Sequence, residues 1–243
     1  MTDALLHKIG GEGPDILLIH GFGADRLSWL ALAPKLFQFG TIWAIEYGAH
    51  GAAGNDVGDG SLTDLAAAIE AKVKKELKSP IIVGHSLGGT LALFLISRGF
   101  VVSSGLVLLA PAGFGKTLDI SFIRELPEVV DGAAAHELLK QLVVRKNLIT
   151  KRMADAFVET LENTQRRTAL QAIANTLKKA TPPPLPPDIP NIILWGDSDE
   201  VLSPPLNPPT EVKLLSNVGH LPHVEAVEDV VKAIQTIIDK KSD

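Results

Sequence analysis

The chain has 243 residues, of which 46% are hydrophobic and 21% charged, and a net charge of −5; this excludes disordered and fibrous classes, and without a Lys/Arg-rich stripe it excludes nucleic acid as a partner. It has no cysteine, which excludes disulfides, thiolate zinc sites and a cysteine nucleophile, and leaves serine or carboxylate chemistry for covalent catalysis. Apolar runs such as Ile16–Ile19 fall far short of the roughly 20 residues of a membrane span, and the first residues lack the basic start and cleavage site of a signal peptide, so the expectation is a cytoplasmic protein with no membrane partner.

Strand patterns fall at about 5–9, 16–20, 41–46, 80–84, 105–110, 191–195 and 211–215, each bounded by Gly, Pro or a polar turn and separated by helical patterns. This alternation predicts an α/β fold with a mostly parallel sheet flanked by helices. The turn residues Gly10, Gly11, Glu12, Gly13 and Pro14 read as a hairpin, which predicts an antiparallel first strand at the sheet edge. Ser61 caps a predicted helix whose apolar face is Leu62, Leu65, Ala66, Ile69, Val73 and Leu77. Between Pro111 and Thr181 helical periodicity continues without a convincing strand, one face carrying Ala134, Ala135, Leu138, Leu139, Leu142 and Val143, and another helix, capped by Thr150, carrying Met153, Phe157 and Leu161. The expected organisation is a core of residues 1–112 and 188–243 with a helical cap inserted at 113–187, whose proline-rich end at 181–187 stiffens the return. A last helix carries Val227, Val230, Val231, Ile234, Ile237 and Ile238 inward and Lys232, Asp239, Lys240 and Lys241 towards water or its frayed end.

Gly84-His85-Ser86-Leu87-Gly88, between the strand residues Ile81–Val83 and a helical run from Thr90 to Arg98, has the form of a nucleophile elbow. Small residues two positions either side of Ser86 are what so tight a turn requires, and the turn aims the next helix N-terminus at the hydroxyl. The alternative is a glycine-rich turn with a capping serine. An oxyanion needs two N–H donors: Leu87 follows the nucleophile, and Phe22, in His20-Gly21-Phe22-Gly23, sits on the loop after the second strand, unless that loop is a plain turn. His20 reads as a brace for it. The base should be a late histidine: His220 follows the last strand in Asn217-Val218-Gly219-His220, and His223 competes from beside the closing helix. The acid should leave the preceding strand, where Trp195-Gly196-Asp197-Ser198-Asp199 offers Asp199, with Asp197 as the turn-stabilising alternative. Trp29, Met153 and Phe157 are candidate walls of the substrate site, against the simpler reading of such residues as core.

Taken together, His-Gly-Phe-Gly, Gly-His-Ser-Leu-Gly-Gly, Trp-Gly-x-x-Asp and Gly-His with Glu225 downstream make the chain resemble the α/β-hydrolase superfamily over almost its full length. Within it, the run Val107 to Gly115 and the Ile123 region resemble the hydrolase-like domain of the acetoin dehydrogenase acetyltransferase component. Those proteins carry a lipoyl domain, for which this chain is expected to have no room, so a free-standing hydrolase is the expectation. Glu46-Tyr47-Gly48-Ala49-His50-Gly51 departs from the Asp-x-Pro or Asp-x-Arg that many relatives place before Gly-His-Gly, and predicts an altered loop there. The implied function is a serine hydrolase acting through an acyl-enzyme on a small or medium carboxylic ester, thioester or lactone. Ser86, Asp199 and His220 would be its triad and Phe22 and Leu87 its oxyanion donors. A small-molecule acyl substrate, no metal or other cofactor, and a monomer or homodimer complete the expectation. An acyltransferase on the same acyl-enzyme, a carbon–carbon bond hydrolase and a non-catalytic binding protein are the alternatives.

Overall fold

The runs Ile16–Ile19, Ile81–Val83 and Leu106–Leu109 have no polar alternation, the pattern of strands buried on both faces. The computed structural model, which describes residues 3–114, 121–177, 181–205 and 211–240, places them side by side in a seven-stranded sheet. The strands are β1 (Ala4–Gly10), β2 (Asp15–Ile19), β3 (Thr41–Tyr47), β4 (Ile81–His85), β5 (Gly105–Leu109), β6 (Asn191–Gly196) and β7 (Val212–Leu215). Their order is β1-β3-β2-β4-β5-β6-β7, with β1 antiparallel to β3 and the other pairs parallel.

The antiparallel edge strand is as expected, but the hairpin is not: β1 pairs with β3, and β2 has β3 on one side and β4 on the other. The glycine-rich turn does reverse the chain, yet its carbonyls are used by the start of β3, where Thr41 donates its N–H to Pro14 O at 2.9 Å and its hydroxyl to Gly13 O at 3.1 Å. An apolar run such as Ile16–Ile19 of β2 gains most from the middle of the sheet, with both edges hydrogen-bonded and both faces dry.

Helices cover both faces: α1 (Ala33–Leu36), α2 (Leu62–Glu76), α3 (Leu87–Ser97), α4 (Ser121–Glu125), α5 (Gly132–Lys140), α6 (Lys151–Leu161), α7 (Thr164–Leu177), α8 (Pro222–Glu225) and α9 (Val227–Asp239). Strand residues alternate between the two layers. Leu17, Ile19, Ile82 and Leu108 face α2 and α3, while Ile16, Leu18, Val83 and Val107 face α1 and α9. Ser61 caps α2 by accepting the Asp64 N–H at 3.3 Å, and Leu65, Ile69 and Val73 are buried beneath it. In α9, Val230, Ile234 and Ile237 are buried, each contributing roughly 2 kcal/mol of apolar transfer before conformational entropy is subtracted.

Helices α4–α7 lie in sequence between β5 and β6, and no strand occurs among the described residues there. Thr150 caps α6 by accepting the Met153 N–H at 3.2 Å. The face predicted for α5 is shorter than expected. Ala135 and Leu138 are buried, Ala134 is exposed, and the helix ends before Leu142 and Val143, which turn towards the chain after β7. Gly115 and Lys241, both in expected elements, lie outside the described residues.

Candidate active site

β4 passes into α3 through Ser86, whose φ of 49° and ψ of −117° are sparsely populated for a residue with a Cβ, a conformation that costs about 1–3 kcal/mol. The surrounding backbone leaves it no alternative. A Cβ on Gly84 would lie 2.6 Å from the Gly88 carbonyl oxygen, and one on Gly88 would meet the Ile19 and His20 carbonyl oxygens at the end of β2. The Ser86 carbonyl accepts from Gly89 N, Thr90 N and Ala112 N at 3.0–3.2 Å, and Thr90 Oγ1 donates to Ala112 O at 2.7 Å, tying the turn to the chain leaving β5.

The loop after β2 lies against this turn: a Cβ on Gly21 would sit 2.8 Å from His85 Nδ1 and 3.2 Å from Ser86 Cβ. Tyr47 donates its hydroxyl to His20 O at 2.8 Å, and the His20 ring stacks on Tyr47 with centroids 4.5 Å apart. The N–H groups of Phe22, on this loop, and of Leu87, next to Ser86, have no acceptor among the described residues. Leu87 also opens an eleven-residue helix whose N-terminal dipole favours negative charge there.

Asp199 is buried on the chain leaving β6, with every acceptor position directed at a donor. Oδ2 takes His220 Nδ1 at 2.7 Å and Trp195 Nε1 at 3.1 Å, and Oδ1 takes Val201 N at 2.9 Å and Leu202 N at 2.8 Å. Asp197, by contrast, is occupied with the turn itself, accepting from Ser198 Oγ and Asn217 N. His220 is held at three points, its ring by Asp199, its N–H by Leu142 O at 2.8 Å and its carbonyl by His85 Nε2 at 2.8 Å. The carboxylate puts the ring hydrogen on Nδ1 and leaves Nε2 as an acceptor. Ser86 Oγ and His220 Nε2 are not hydrogen-bonded to each other.

His223 is fully buried against Trp29, ring centroids 4.5 Å apart, with no partner for either nitrogen, and burial lowers its pKa to about 3. Burial likewise lowers His20, His85 and His50, the last to about 3. In both His20 and His50, Nδ1 lies 2.8–2.9 Å from a backbone carbonyl, so Nε2 is a buried acceptor without a partner.

Three expectations about walls fare differently. Trp29 is 1% exposed and packs on the α9 side of the sheet, opposite the layer that holds Phe22, so it is core rather than site. Met153 is 50% exposed on α6. Phe157, one turn further on, packs against the layer that includes Phe22 and reaches within 3.8 Å of a Cβ placed on Gly23, together with Leu126. The loop after β3 is tied down by Glu46. Its carboxylate is fully buried and accepts from Arg26 N, Arg26 Nη1, Ala52 N and His7 Nε2 at 2.9–3.2 Å. Burial raises its pKa, but the Ala52 and Arg26 hydrogen bonds outweigh this and leave it lowered.

Two residues of this construction were not anticipated: Trp195, whose indole supports Asp199, and Tyr47, which fixes the start of the Phe22 loop. Neither carries a motif, though an apolar-strand Trp or Tyr that needs a hydrogen-bond partner when buried is a signal of sorts. Open surface hollows of about 560 Å³ beside Asn55 and Thr164 and about 830 Å³ beside Lys213 and Val227 contain none of Ser86, Asp199 or His220. Among the described residues no three His, Asp or Glu side chains are grouped to hold a metal, and no helix is long and apolar enough to cross a membrane.

An acceptor nitrogen on a carboxylate-held imidazole, a strained serine, and two unpaired N–H groups together can perform acyl chemistry. Known proteins agree with the architecture. The dihydrolipoyllysine-residue acetyltransferase component of the acetoin cleaving system of Pseudomonas putida is 24% identical over 243 residues, covering 96% of this chain and 66% of that protein. This chain thus spans just under two thirds of that relative's length. Lipase 3 of Moraxella sp. is 25% identical over 245 residues, covering 93% of this chain and 78% of the lipase. A meta-cleavage product hydrolase from Pseudomonas fluorescens superposes with a TM-score of 0.83 at 17% identity, covering 98% of this chain and 95% of that one. The sequence model described as "Alpha/beta hydrolase family" matches residues 16–233, so the chain belongs to that family.

Proposed function

We propose that the protein is a serine hydrolase that cleaves a small or medium carboxylic ester, thioester or lactone through an acyl-enzyme. Ser86 attacks the acyl carbonyl, its proton passing to His220 Nε2, and the N–H groups of Phe22 and Leu87 take the developing oxyanion. Asp199 keeps His220 in the Nδ1–H tautomer and stabilises the imidazolium. The leaving group departs with the proton from His220; water, deprotonated in turn by His220, then attacks the acyl-enzyme and releases the acid. The observation that carries the reading is the 2.7 Å contact of Asp199 Oδ2 with His220 Nδ1, on a chain whose other two parts, the Ser86 turn and the Phe22 loop, lie against one another.

The insertion containing α4–α7 acts as a cap over this site, with Phe157 as an apolar wall beside the Phe22 loop. Support for this comes from its polar contacts with the core loops: Arg166 Nη2 donates to Gly51 O at 2.7 Å and Thr176 Oγ1 to Gly60 O at 2.5 Å. Similarity to an acetyltransferase component favours a second reading, in which a thiol or alcohol replaces water as the acceptor.

Intact mass after incubation with a fluorophosphonate tests the proposal, alongside p-nitrophenyl esters of graded chain length. One adduct on the wild type, lost in Ser86→Ala, with ester turnover, is the expected result. No adduct on the folded wild type overturns it, and a product formed on an added thiol faster than the acid appears selects the transfer reading.

A further inference from the structure

We infer that Glu225 is a positioning residue that clamps the His220 loop to the helical insertion, so that His220 is in register only while the insertion is docked. This rests on the proposed role of His220 as the base. Glu225 ends the short helix α8, five residues after His220, and its side chain is 1% exposed. Oε2 accepts the Gly219 N–H at 2.8 Å and the Val144 N–H at 3.2 Å, and Oε1 accepts the Arg145 N–H at 2.9 Å. Arg145 closes the arrangement by donating from Nη2 to Glu225 O at 2.9 Å.

Gly219 adjoins His220, whereas Val144 and Arg145 belong to the connection between α5 and α6, about 80 residues earlier in the chain. The same connection holds His220 directly, through its N–H to Leu142 O at 2.8 Å. The fit leaves no slack, since a Cβ on Gly219 would lie 2.8 Å from Leu142 O and 3.0 Å from Val143 Cα. His220 is therefore suspended between the core, through Asp199 and His85, and the insertion, through Leu142 and the Glu225 clamp.

The chemistry requires a carboxylate. Three N–H donors converge on both oxygens, and a glutamine of the same shape would turn its own NH2 against at least one of them. A donor left buried without an acceptor moves away, and the two segments sharing the clamp separate. Because the reacting proton is transferred over a hydrogen-bond distance, a shift of the order of 1 Å in the ring costs up to about a hundredfold in rate. Substrate affinity, set by the pocket rather than by the base, changes little.

The test is Glu225→Gln in the full chain, read in two ways. Hydrogen exchange is measured on peptides covering 142–146 and 217–221, and kcat, KM and the rate of fluorophosphonate adduct formation are measured on the same samples. Both peptides are expected to exchange faster together while those of β4 and β5 are unchanged, with kcat and the adduct rate falling about 10- to 100-fold and KM moving less than about threefold. Loosening of only one segment overturns the clamp, and loosening of both with unchanged kcat overturns its role in positioning His220. If Glu225→Gln does not fold, Glu225→Asp, which retains the charge but falls short of the three donors, is judged by the same readings. A wild type that takes no phosphonate refutes the hydrolase reading by itself, and the exchange data still decide whether Glu225 joins the two segments.

Discussion

Replacing Asp199 by asparagine separates what the carboxylate does for the fold from what it does for the chemistry. The wild-type group faces four donors and no acceptor, so the amide NH2 of asparagine must face two of them. Turned towards Val201 and Leu202, it would leave two buried N–H groups unsatisfied, at about 1–3 kcal/mol each. Turned the other way it faces Trp195 and His220, and Trp195 Nε1 still has Leu202 O as an acceptor at 2.8 Å. The second orientation is favoured by the difference, and there His220 must offer Nδ1 as an acceptor, carrying its hydrogen on Nε2. That is the tautomer which cannot take the Ser86 proton. Asp199→Asn is therefore expected to lose only about 1–2 kcal/mol of stability but about 10³- to 10⁴-fold in kcat. Urea denaturation and steady-state ester hydrolysis measure the two quantities separately. A folded variant retaining more than about a tenth of wild-type kcat refutes the reasoning, because no tautomer argument survives it.

Ser86→Gly removes the Cβ that makes φ of 49° and ψ of −117° costly, and is expected to be about 1 kcal/mol more stable than Ser86→Ala in urea, both variants being inert to phosphonate. Gly88→Ala drives a methyl into the Ile19 and His20 carbonyls, neither of which can retreat without moving the end of β2; a loss of about 3 kcal/mol and of adduct formation is expected, and wild-type values for both would refute the close approach. Acid should destabilise the fold through its buried histidines. His50 and His223, pushed by burial from 6.5 to about 3, stay neutral in the folded chain while their unfolded counterparts take up protons below 6.5. Their stabilising effect is thus complete above about pH 6.5 and is lost progressively as pH falls towards 3, amounting to about 4 kcal/mol for the pair between pH 7 and pH 5. Urea midpoints at the two pH values check this, an unchanged midpoint refutes it, and His223→Gln should halve the difference.

What was legible in the sequence followed from short-range pattern. The seven strands, the antiparallel edge and the caps Ser61 and Thr150 are each specified within a few residues, by period, turn chemistry or a side-chain oxygen three positions before an N–H. The failures needed information from far along the chain. Glycine turn residues announce that β1 reverses but not that β3 will take the place beside it. Trp29 lies in the other layer from Phe22, and burial on either layer of a sheet looks the same in sequence as burial in a pocket.

The histidines carry this furthest. Five of the seven, His20, His50, His85, His220 and His223, are buried around the ends of β2, β3, β4 and β7, and composition alone cannot separate them. What distinguishes His220 is a carboxylate at 2.7 Å; burial holds the other four neutral, two of them at about 3, and none of those four is hydrogen-bonded to an acid. A neutral imidazole serves as a rigid, polar-edged ring, as when His85 holds the His220 carbonyl, whereas one beside a carboxylate can gain and lose a proton during a reaction. The same side chain is thus scaffold four times and, in the proposed reaction, proton carrier once, and the difference lies in an aspartate 21 residues away in sequence, brought to the ring by the parallel pairing of β6 with β7.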